Sequence, residues 1–445
     1  MLCYCTNVHP SETLEQVRAA LTQGAARVRS ALGQDELATG LYLSASVVER
    51  LQGEPQAVRD LVEVLREQSL QVSTLNGFPY GDFHAQRVKE KVYLPDWSDP
   101  KRSNYTVALA HLLCELMGEE RYGSISSVAL GLRTTFESPE LRRKALIELG
   151  KVALALAKIE AERGIRIVLS LEPEPFTALE STQDVLDFFT QELWREGAAL
   201  LSNQPGLQGE LSGDQTRARE LLQRYIGICY DCCHQAVEFE SARESLSAIT
   251  SAGVVIGKVQ LSNALLVPAP AARSLLAPFA EERYLHQSFL RLSKGVSMDE
   301  LRHRLPRAIA QNVRFHAATA LQPALISAID LPECFCVLDH LASEGFLAKV
   351  DDVRTHFHVP LFWEEAAGAT GQNSDLSSTQ AFLREVLECH KESALSPHLE
   401  IETYTWNVLP ESMRADELAQ GIAHEFDWVQ DRLSPKKRHR DDRIL

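Results

Sequence analysis

Several strand-like runs in this sequence end in residues of the types that commonly bind metal ions. Each run is short and apolar, and the residues at their ends are Glu172, Asp231, Gln260 and Glu402. Oxygen donors of this kind suit Mg²⁺, Mn²⁺, Co²⁺ or Zn²⁺. Three carboxylates brought together would repel one another and raise their pKa values, and a bound divalent ion would resolve that conflict. The alternative is that these carboxylates cap helices or pair with basic residues.

Two of the carboxylates also suit proton transfer. In a closed barrel, Glu172 and Glu402 would come from opposing sides of the mouth. One could remove a proton from a bound carbon and the other could return a proton on the opposite face. A metal ion would hold the substrate oxygens and stabilise an enediolate. We therefore predict Glu172 and Glu402 as catalytic residues as well as metal ligands.

Histidines stand near the carboxylates along the chain. His234 follows Asp231 by three residues, and His356 and His358 alternate in an extended run that would point both rings to one face. The pair could bind substrate or metal, or could belong to an ordinary core. We predict that all three histidines contact substrate. We predict the same role for Asn76 and Arg133, which lie at the ends of the third and fourth strand-like runs.

The elements that must position these residues alternate between strand and helix, which predicts a parallel sheet. The sequence contains nine extended runs. We interpret residues 353–360 as a returning segment, which leaves the eight strands of a closed (β/α)8 TIM barrel. In such barrels the active site lies at the carboxyl ends of the strands. An open doubly wound sheet is the alternative.

The length of 445 residues exceeds what a single barrel needs, so we expect insertions. We predict one barrel domain over residues 1–430, with long insertions near 76–105, 176–224 and 264–350, the last of them mainly helical. Residues 431–445 are predicted to be a charged, disordered tail. The aromatic loop at 76–97 is interpreted as a lid or pocket wall, with structural packing as the alternative.

Composition narrows the class of protein. The net charge of −16 argues against a nucleic-acid partner, because phosphate backbones would repel the surface. No apolar run approaches the length of about 20 residues that spans a bilayer. The N-terminal residues lack a signal-peptide pattern, and the nine cysteines are an odd number, as expected for reduced thiols in a cytoplasmic protein. A redox or zinc role for Cys229-x-x-Cys232 is a minor alternative.

Together the strand-end residues resemble the xylose isomerase-like barrels, a superfamily of sugar epimerases, hydroxypyruvate isomerase and metal-dependent apurinic endonucleases. The resemblance rests on Glu172, Asp231-x-x-His234, Gln260 and Glu402. It implies a divalent metal held by Glu172, Asp231, Gln260 and Glu402, with His234 at the substrate. The sequence departs from the pattern of this superfamily in two ways. The third and fourth strand ends lack the histidines of the endonucleases, and Gln260 stands where many relatives have histidine.

Longer strings resemble the family of bacterial metabolite traffic proteins EboE. These strings lie at residues 4–9, 76–81, 95–97, 284–287, 356–360 and 400–406. The resemblance implies a gene cluster that matures or transports a small, prenylated or otherwise lipophilic metabolite, with other proteins of that cluster as partners. It implies no defined reaction.

These observations leave three hypotheses for function. The first is a metal-dependent isomerase or epimerase acting on a small metabolite. The second is a metabolite-binding escort protein without catalysis. The third is a metal-dependent phosphodiesterase related to the apurinic endonucleases, which the net charge disfavours.

Overall fold

The computed structural model describes residues 1–81, 83–204, 213–363, 375–415 and 417–434. Eight parallel strands form a closed barrel, which confirms the predicted (β/α)8 fold and excludes an open sheet. With strands numbered along the whole chain, the order around the barrel is β1-β14-β7-β6-β5-β4-β3-β2. Their bounds are β1 Leu2–Cys5, β2 Leu37–Tyr42, β3 Leu70–Asn76, β4 Tyr122–Val128, β5 Arg166–Glu172, β6 Ile226–Asp231, β7 Ile256–Leu261 and β14 Leu399–Ile401.

Helices surround the barrel, and their ends follow local sequence signals. The longest, Pro139–Arg163, begins after Ser138, whose side chain accepts a hydrogen bond from the Leu141 amide. It ends at Gly164, whose φ of 67° favours glycine. The other α-helices of this layer are Leu14–Ala19, Ala26–Ala31, Ala45–Gly53, Pro55–Glu67, Pro100–Leu116, Thr182–Asp187, Ala198–Ser202, Gln215–Tyr225, Cys232–Val237, Ala242–Ser251, Gln380–Ser393 and Leu418–Leu433, with π-helical turns at Ala20–Ala25 and Phe188–Gly197.

The chain between β7 and β14 forms a second sheet of six strands. The strands are β8 Leu265–Pro268, β9 Ser288–Leu292, β10 Val313–His316, β11 Leu325–Ala328, β12 Val350–Thr355 and β13 Ser377–Ser378, in the order β10-β11-β9-β12-β8-β13. All the strand pairs in this sheet are antiparallel. Helices Ala269–Leu275, Met298–Arg304, Arg307–Ala310 and Leu331–Ser343 accompany it.

This second sheet corrects the sequence-based prediction for residues 264–350, which was mainly helical. Helices are present there, but four of the six strands lie in that range. Each of the four has four or five residues, and apolar runs that short carry no period that separates strand from helix. The prediction that residues 353–360 add no barrel strand is confirmed, because β12 pairs with β8 and β9 in the second sheet.

The disordered tail predicted for residues 431–445 overlaps the end of a helix. Helix Leu418–Leu433 extends into residues 431–433, and Trp428 and Val429 of this helix are buried. The rest of the predicted tail, from residue 435 onward, lies outside the described residues. Within the described residues, no helix combines the length and hydropathy that crossing a bilayer requires.

An ion pair lies buried inside the barrel below its mouth. Lys258 Nζ of β7 is 2.5 Å from Glu400 Oε2 of β14, and neither side chain is exposed. Gly40 of β2 faces the pair, and a Cβ atom there would lie 1.6 Å from Glu400 Oε1. The backbone at Gly40 therefore leaves the space that the Glu400 carboxylate occupies. Sequence reasoning missed this pair.

Candidate active site at the barrel mouth

Three carboxylates predicted from the strand ends meet at the barrel mouth. Glu172 ends β5, Asp231 ends β6 and Glu402 follows β14. One oxygen from each lies within 4.8 Å of the others, and all three side chains are buried. We call Glu172, Asp231 and Glu402 the carboxylate set.

Burial and mutual repulsion act together on this set. The pKa of Glu172 is raised well above its ordinary value, first by desolvation and then by the charges of Glu402 and Asp231. The pKa of Glu402 is raised well above its ordinary value by desolvation and by Asp231 and Glu400. This is the electrostatic conflict that a divalent cation would remove.

Asp231 caps a helix and also faces the other carboxylates. Its Oδ1 accepts hydrogen bonds from the backbone N–H of His234 at 2.9 Å and from Ser262 Oγ at 2.8 Å. The first of these bonds caps helix Cys232–Val237. Its Oδ2 is buried and has no hydrogen-bond partner in the described part of the chain. Asp231 can therefore cap the helix with Oδ1 and bind a metal ion with Oδ2, so the two interpretations of this residue are compatible.

Two asparagines hold Glu402 in place. Its Oε1 accepts hydrogen bonds from Asn7 Nδ2 at 2.6 Å and from Asn76 Nδ2 at 3.1 Å. Asn76, predicted to contact substrate, lines the cleft above the mouth and also orients this carboxylate. Asn7 was not predicted as a site residue. Its position just beyond the end of the first strand could have indicated that it lies at the barrel mouth.

Three imidazoles lie beside the carboxylate set. Nδ1 of His234 is 3.0 Å from the Pro173 carbonyl, that of His356 is 2.7 Å from Gln287 Oε1, and that of His358 is 2.6 Å from the Glu402 carbonyl. Because these oxygens only accept hydrogen bonds, each Nδ1 carries a proton, and Nε2 is the ring nitrogen left to bind a ligand. This is the usual arrangement of metal-binding histidines.

The three rings face one another rather than a hydrophobic core. Ring centroids are 4.6 Å apart for His234 and His356, and 5.2 Å apart for His356 and His358. Desolvation lowers the pKa of His356 well below its usual value and that of His358 to about 4, with neighbouring histidines adding to both shifts. Nε2 of both rings is buried without a hydrogen-bond partner among the described residues.

A fourth carboxylate, Glu174, joins the histidines, although it was not among the residues predicted from the sequence. One ligand atom each from Glu174, His234 and His356 lie within 4.8 Å of one another. Glu174 Oε1 accepts hydrogen bonds from the Tyr93 hydroxyl at 2.9 Å and from Gln287 Nε2 at 3.0 Å. We call Glu174, His234, His356 and His358 the imidazole set. Gln287 orients two of its members, since it also accepts the hydrogen bond from His356.

Two predicted residues occupy less direct positions. Gln260 is fully buried, but its Oε1 accepts a hydrogen bond from the Cys229 thiol at 3.1 Å, so its role as a ligand stays a prediction. Arg133 does not join the mouth residues. It pairs with Glu180 at 3.1 Å and with Asp184, and these contacts account for its charge. Neither partner is one of the strand-end carboxylates, and the predicted contact between Arg133 and substrate stays a prediction.

The aromatic loop forms one wall of a cleft above the mouth. Phe78, Phe83 and Tyr93 line this cleft together with Tyr284 and Tyr404. The same cleft is also lined by Glu172, Glu174, Glu402 and the three histidines of the imidazole set. The interpretation as a pocket wall is therefore correct, although these aromatic side chains also pack against one another.

Glu425 fixes the loop that follows Glu402. Its carboxylate accepts hydrogen bonds from Thr403 Oγ1 at 2.6 Å, from the Leu361 amide at 3.1 Å and from Trp406 Nε1 at 3.1 Å. Desolvation raises its pKa from 4.5 to about 7 despite these donors. A carboxyl group with a raised folded-state pKa favours folding below its unfolded pKa, and this contribution is lost as the pH rises through the folded pKa.

Replacing Glu425 by glutamine is therefore expected to flatten the pH dependence of stability. Between pH 4.5 and pH 8, the variant should lose less stability than the wild type, by up to about 3 kcal/mol. Urea unfolding at several pH values would measure this difference. The lost hydrogen bonds lower stability at every pH and cancel in the comparison. Parallel pH profiles for the two proteins would show that Glu425 does not titrate in this range.

The fold and the mouth together define a closed (β/α)8 barrel with a candidate metal site at the carboxyl ends of its strands. No family model matches the chain, and a search among curated proteins found no match. Among solved structures, the chain is similar to a D-tagatose 3-epimerase-like protein at 13% identity, covering 58% of this chain and 74% of that one, with a TM-score of 0.34.

Two further solved structures are similar at the same level. One is an IOLI protein with a binding zinc atom, at 13% identity over 59% of this chain and 73% of that one, with a TM-score of 0.31. The other is an AP endonuclease of family 2 from Brucella melitensis, at 15% identity over 58% and 78% of the two chains, with a TM-score of 0.30. These are similarities of fold at low sequence identity.

Proposed function

We propose that the protein is a metal-dependent isomerase or epimerase of a small oxygenated molecule. The observation that carries the proposal is a group of buried ligand atoms that meet at the mouth without hydrogen-bond partners in the described chain. They are Glu172 Oε2, Glu174 Oε2, Asp231 Oδ2, His356 Nε2 and His358 Nε2. Buried polar atoms are rarely left unsatisfied, and these five all have the chemistry of metal ligands.

The charge at the mouth supports two cations. The carboxylate set and Glu174 carry four negative charges when ionised, and desolvation lowers the pKa values of His356 and His358, which favours their neutral forms. Two divalent ions would balance these charges. The carboxylate set, with Gln260 beside it, suits a hard ion such as Mg²⁺ or Mn²⁺, and the imidazole set suits Zn²⁺ or Co²⁺.

Glu172 and Glu402 are the proposed acid and base. Glu172 takes a proton from a carbon next to a carbonyl group, and Glu402 returns a proton to the same or the neighbouring carbon. Asn7 and Asn76 hold the Glu402 carboxylate for this step through their hydrogen bonds. A metal ion bound at the mouth supplies polarisation of the substrate oxygens.

The biological role that we propose for this reaction follows the resemblance to the metabolite traffic proteins EboE. On that basis we propose that the substrate belongs to the maturation or transport of a small metabolite in the cytoplasm, with other proteins of the same gene cluster as partners. An escort protein that binds the metabolite without turnover is the second candidate, supported by the same resemblance and by the aromatic cleft. Phosphodiester hydrolysis is disfavoured by the net charge of −16.

Solvent exchange distinguishes catalysis from escort. Protein loaded with Mn²⁺ and Zn²⁺ is incubated in D₂O with a metabolite extract from a strain that lacks the gene. We expect one metabolite to gain deuterium at carbon, as measured by mass spectrometry. Glu172→Gln should slow the exchange by about 10²–10⁴-fold, the usual contribution of a general acid or base.

Glu63→Gln is the control, because Glu63 is an exposed glutamate on helix Pro55–Glu67. It should exchange deuterium at the wild-type rate. Stoichiometric capture of a metabolite without deuterium uptake, retained in Glu172→Gln, would reject the enzyme and support the escort protein. Elemental analysis of the purified protein tests the metal site separately.

A further inference from the structure

We infer that Arg102 is a positioning residue that holds both ends of the aromatic loop and, through them, one carboxylate of each ligand set at the mouth. Arg102 lies on helix Pro100–Leu116, apart from the residues that line the cleft, and its side chain is fully buried. The inference rests on the proposed function, since the two carboxylates, Glu402 and Glu174, are proposed metal ligands. It gives a role at the metal site to a residue that acts on these ligands only through the loop.

The guanidinium group of Arg102 is buried without a carboxylate ion-pair partner in the described part of the chain. Instead, its Nε donates to the Pro95 carbonyl at 2.8 Å, and its Nη1 donates to the carbonyls of Gly77 at 2.8 Å and Phe78 at 3.0 Å. Burial lowers the pKa of Arg102 to about 10, so the group stays charged at neutral pH. Hydrogen bonds from a charged, planar guanidinium are strong and directional. Arg102 therefore fixes backbone atoms from both ends of the aromatic loop.

The start of the aromatic loop carries the link to Glu402. Gly77 and Phe78 directly follow Asn76, the last residue of β3. The Phe78 amide donates to Asn76 Oδ1 at 3.0 Å, and Asn76 Nδ2 donates to Glu402 Oε1 at 3.1 Å. Because Arg102 fixes the two carbonyls of this turn, it also holds the Asn76 amide group in the orientation that reaches the carboxylate set.

The end of the aromatic loop carries the link to Glu174. Tyr93 stands two residues before Pro95, and its side chain is buried. The Tyr93 hydroxyl donates to Glu174 Oε1 at 2.9 Å and accepts a hydrogen bond from Gln287 Nε2 at 3.0 Å. The hydrogen bond from Arg102 to the Pro95 carbonyl therefore fixes the segment that places this hydroxyl against the imidazole set.

The metal affinities of Arg102→Lys test this inference, because lysine keeps the charge but loses the planar fork of donors. Mn²⁺ reports on the carboxylate set, and Zn²⁺ titrated in excess Mg²⁺ reports on the imidazole set. Calorimetry well below the melting temperature gives both dissociation constants. Removing a group that directly orients a metal ligand weakens metal binding by about 10–100-fold. Since Arg102 acts one contact further away, we expect Arg102→Lys to bind each ion at least about threefold more weakly than the wild type.

Double variants show whether the effect passes through the loop. Asn76→Ala should weaken Mn²⁺ binding and Tyr93→Phe should weaken Zn²⁺ binding, each by about tenfold or more. Adding Arg102→Lys should not weaken the affected ion further in either variant, because the contact through which Arg102 acts is already lost. Effects that multiply in either double variant would place Arg102 on another route and overturn the inference.

Arg142→Lys is the control for a general loss of stability. Arg142 Nε donates to the Phe136 carbonyl at 3.0 Å, and its guanidinium group pairs with Glu192. None of these three residues lines the cleft. The variant should unfold at a lower urea concentration than the wild type and bind both ions with wild-type affinity.

The remaining outcomes separate this inference from the proposed function. Wild-type affinities in folded Arg102→Lys would overturn the inference and leave the metal sites standing. If Arg102→Lys does not fold, Arg102→Ala is refolded with methylguanidinium, which can occupy the space of the lost side chain. Recovery of both metal affinities would then support the inference, and no recovery would overturn it. If the wild type binds neither ion, the proposed function fails and the inference fails with it.

Discussion

Replacing Asp231 by asparagine is expected to remove most of the stability that a divalent ion gives the folded protein. An ion that binds only the folded state adds about 2.7 kcal/mol at a hundredfold excess over its Kd. Asparagine keeps an oxygen that can cap helix Cys232–Val237, as Asp231 Oδ1 does in the structure. It removes the charge at Oδ2, the oxygen without a hydrogen-bond partner among the described residues. Metal binding should therefore weaken while the helix cap remains.

The measurement compares melting temperatures with Mn²⁺ and with chelator. The wild type should melt at a higher temperature with Mn²⁺, and Asp231→Asn should show little difference. Asp214→Asn is a matched control, since Asp214 caps helix Gln215–Tyr225 in the same way and lies outside the mouth. Glu174→Gln is unsuitable as a control, because Glu174 belongs to the imidazole set. Equal metal-dependent shifts in the wild type and Asp231→Asn would remove Asp231 from the site.

Replacing Lys258 by methionine is expected to destabilise the protein by about 3–5 kcal/mol. Methionine fills a similar volume but leaves the Glu400 carboxylate buried without its counter-charge. Neither Lys258 nor Glu400 has any exposed surface, so solvent offers no compensation. Lys258 also lowers the pKa values of Glu172 and Glu402 through its charge. Its loss should therefore disturb the mouth above it as well as the barrel interior.

A double variant shows whether the effect comes from the unpaired charge. Lys258→Met combined with Glu400→Gln should recover more than half of the lost stability, because no buried charge is left without a partner. Chemical denaturation of the wild type, both single variants and the double variant gives the coupling energy. If the double variant is as unstable as Lys258→Met alone, packing rather than charge determines the contribution of Lys258.

The barrel and its carboxylate set could be predicted because one rule connects them. Apolar runs that end in Glu172, Asp231 and Glu402 alternate with helical patterns, and a closed parallel barrel brings all such ends to one mouth. The spacing Asp231-x-x-His234 follows from the same geometry, since the first turn of a helix returns residue three to the mouth. For these residues, sequence position alone determines which side of the barrel they face.

The imidazole set was harder to predict because its members come from different parts of the fold. His356 and His358 lie beyond β12 of the second sheet, and Gln287 lies just before β9. Only the pairing of that sheet brings them to the barrel mouth, and its short strands leave little trace in the sequence. Glu174 was not predicted because it lies two residues beyond the end of β5, where the alternation of strand side chains no longer says which way a residue faces.

The barrel closes through residues that are far apart in the chain. β1 pairs with β14, and the hydrogen bond between Asn7 and Glu402 joins residues 395 positions apart. A growing polypeptide therefore exposes the edge of β1 that pairs with β14 until β14 has emerged from the ribosome. Contacts of such long range also slow folding. Because Glu402 arrives last, an ion held by the carboxylate set would favour only the closed barrel, and metal uptake would report the completion of folding.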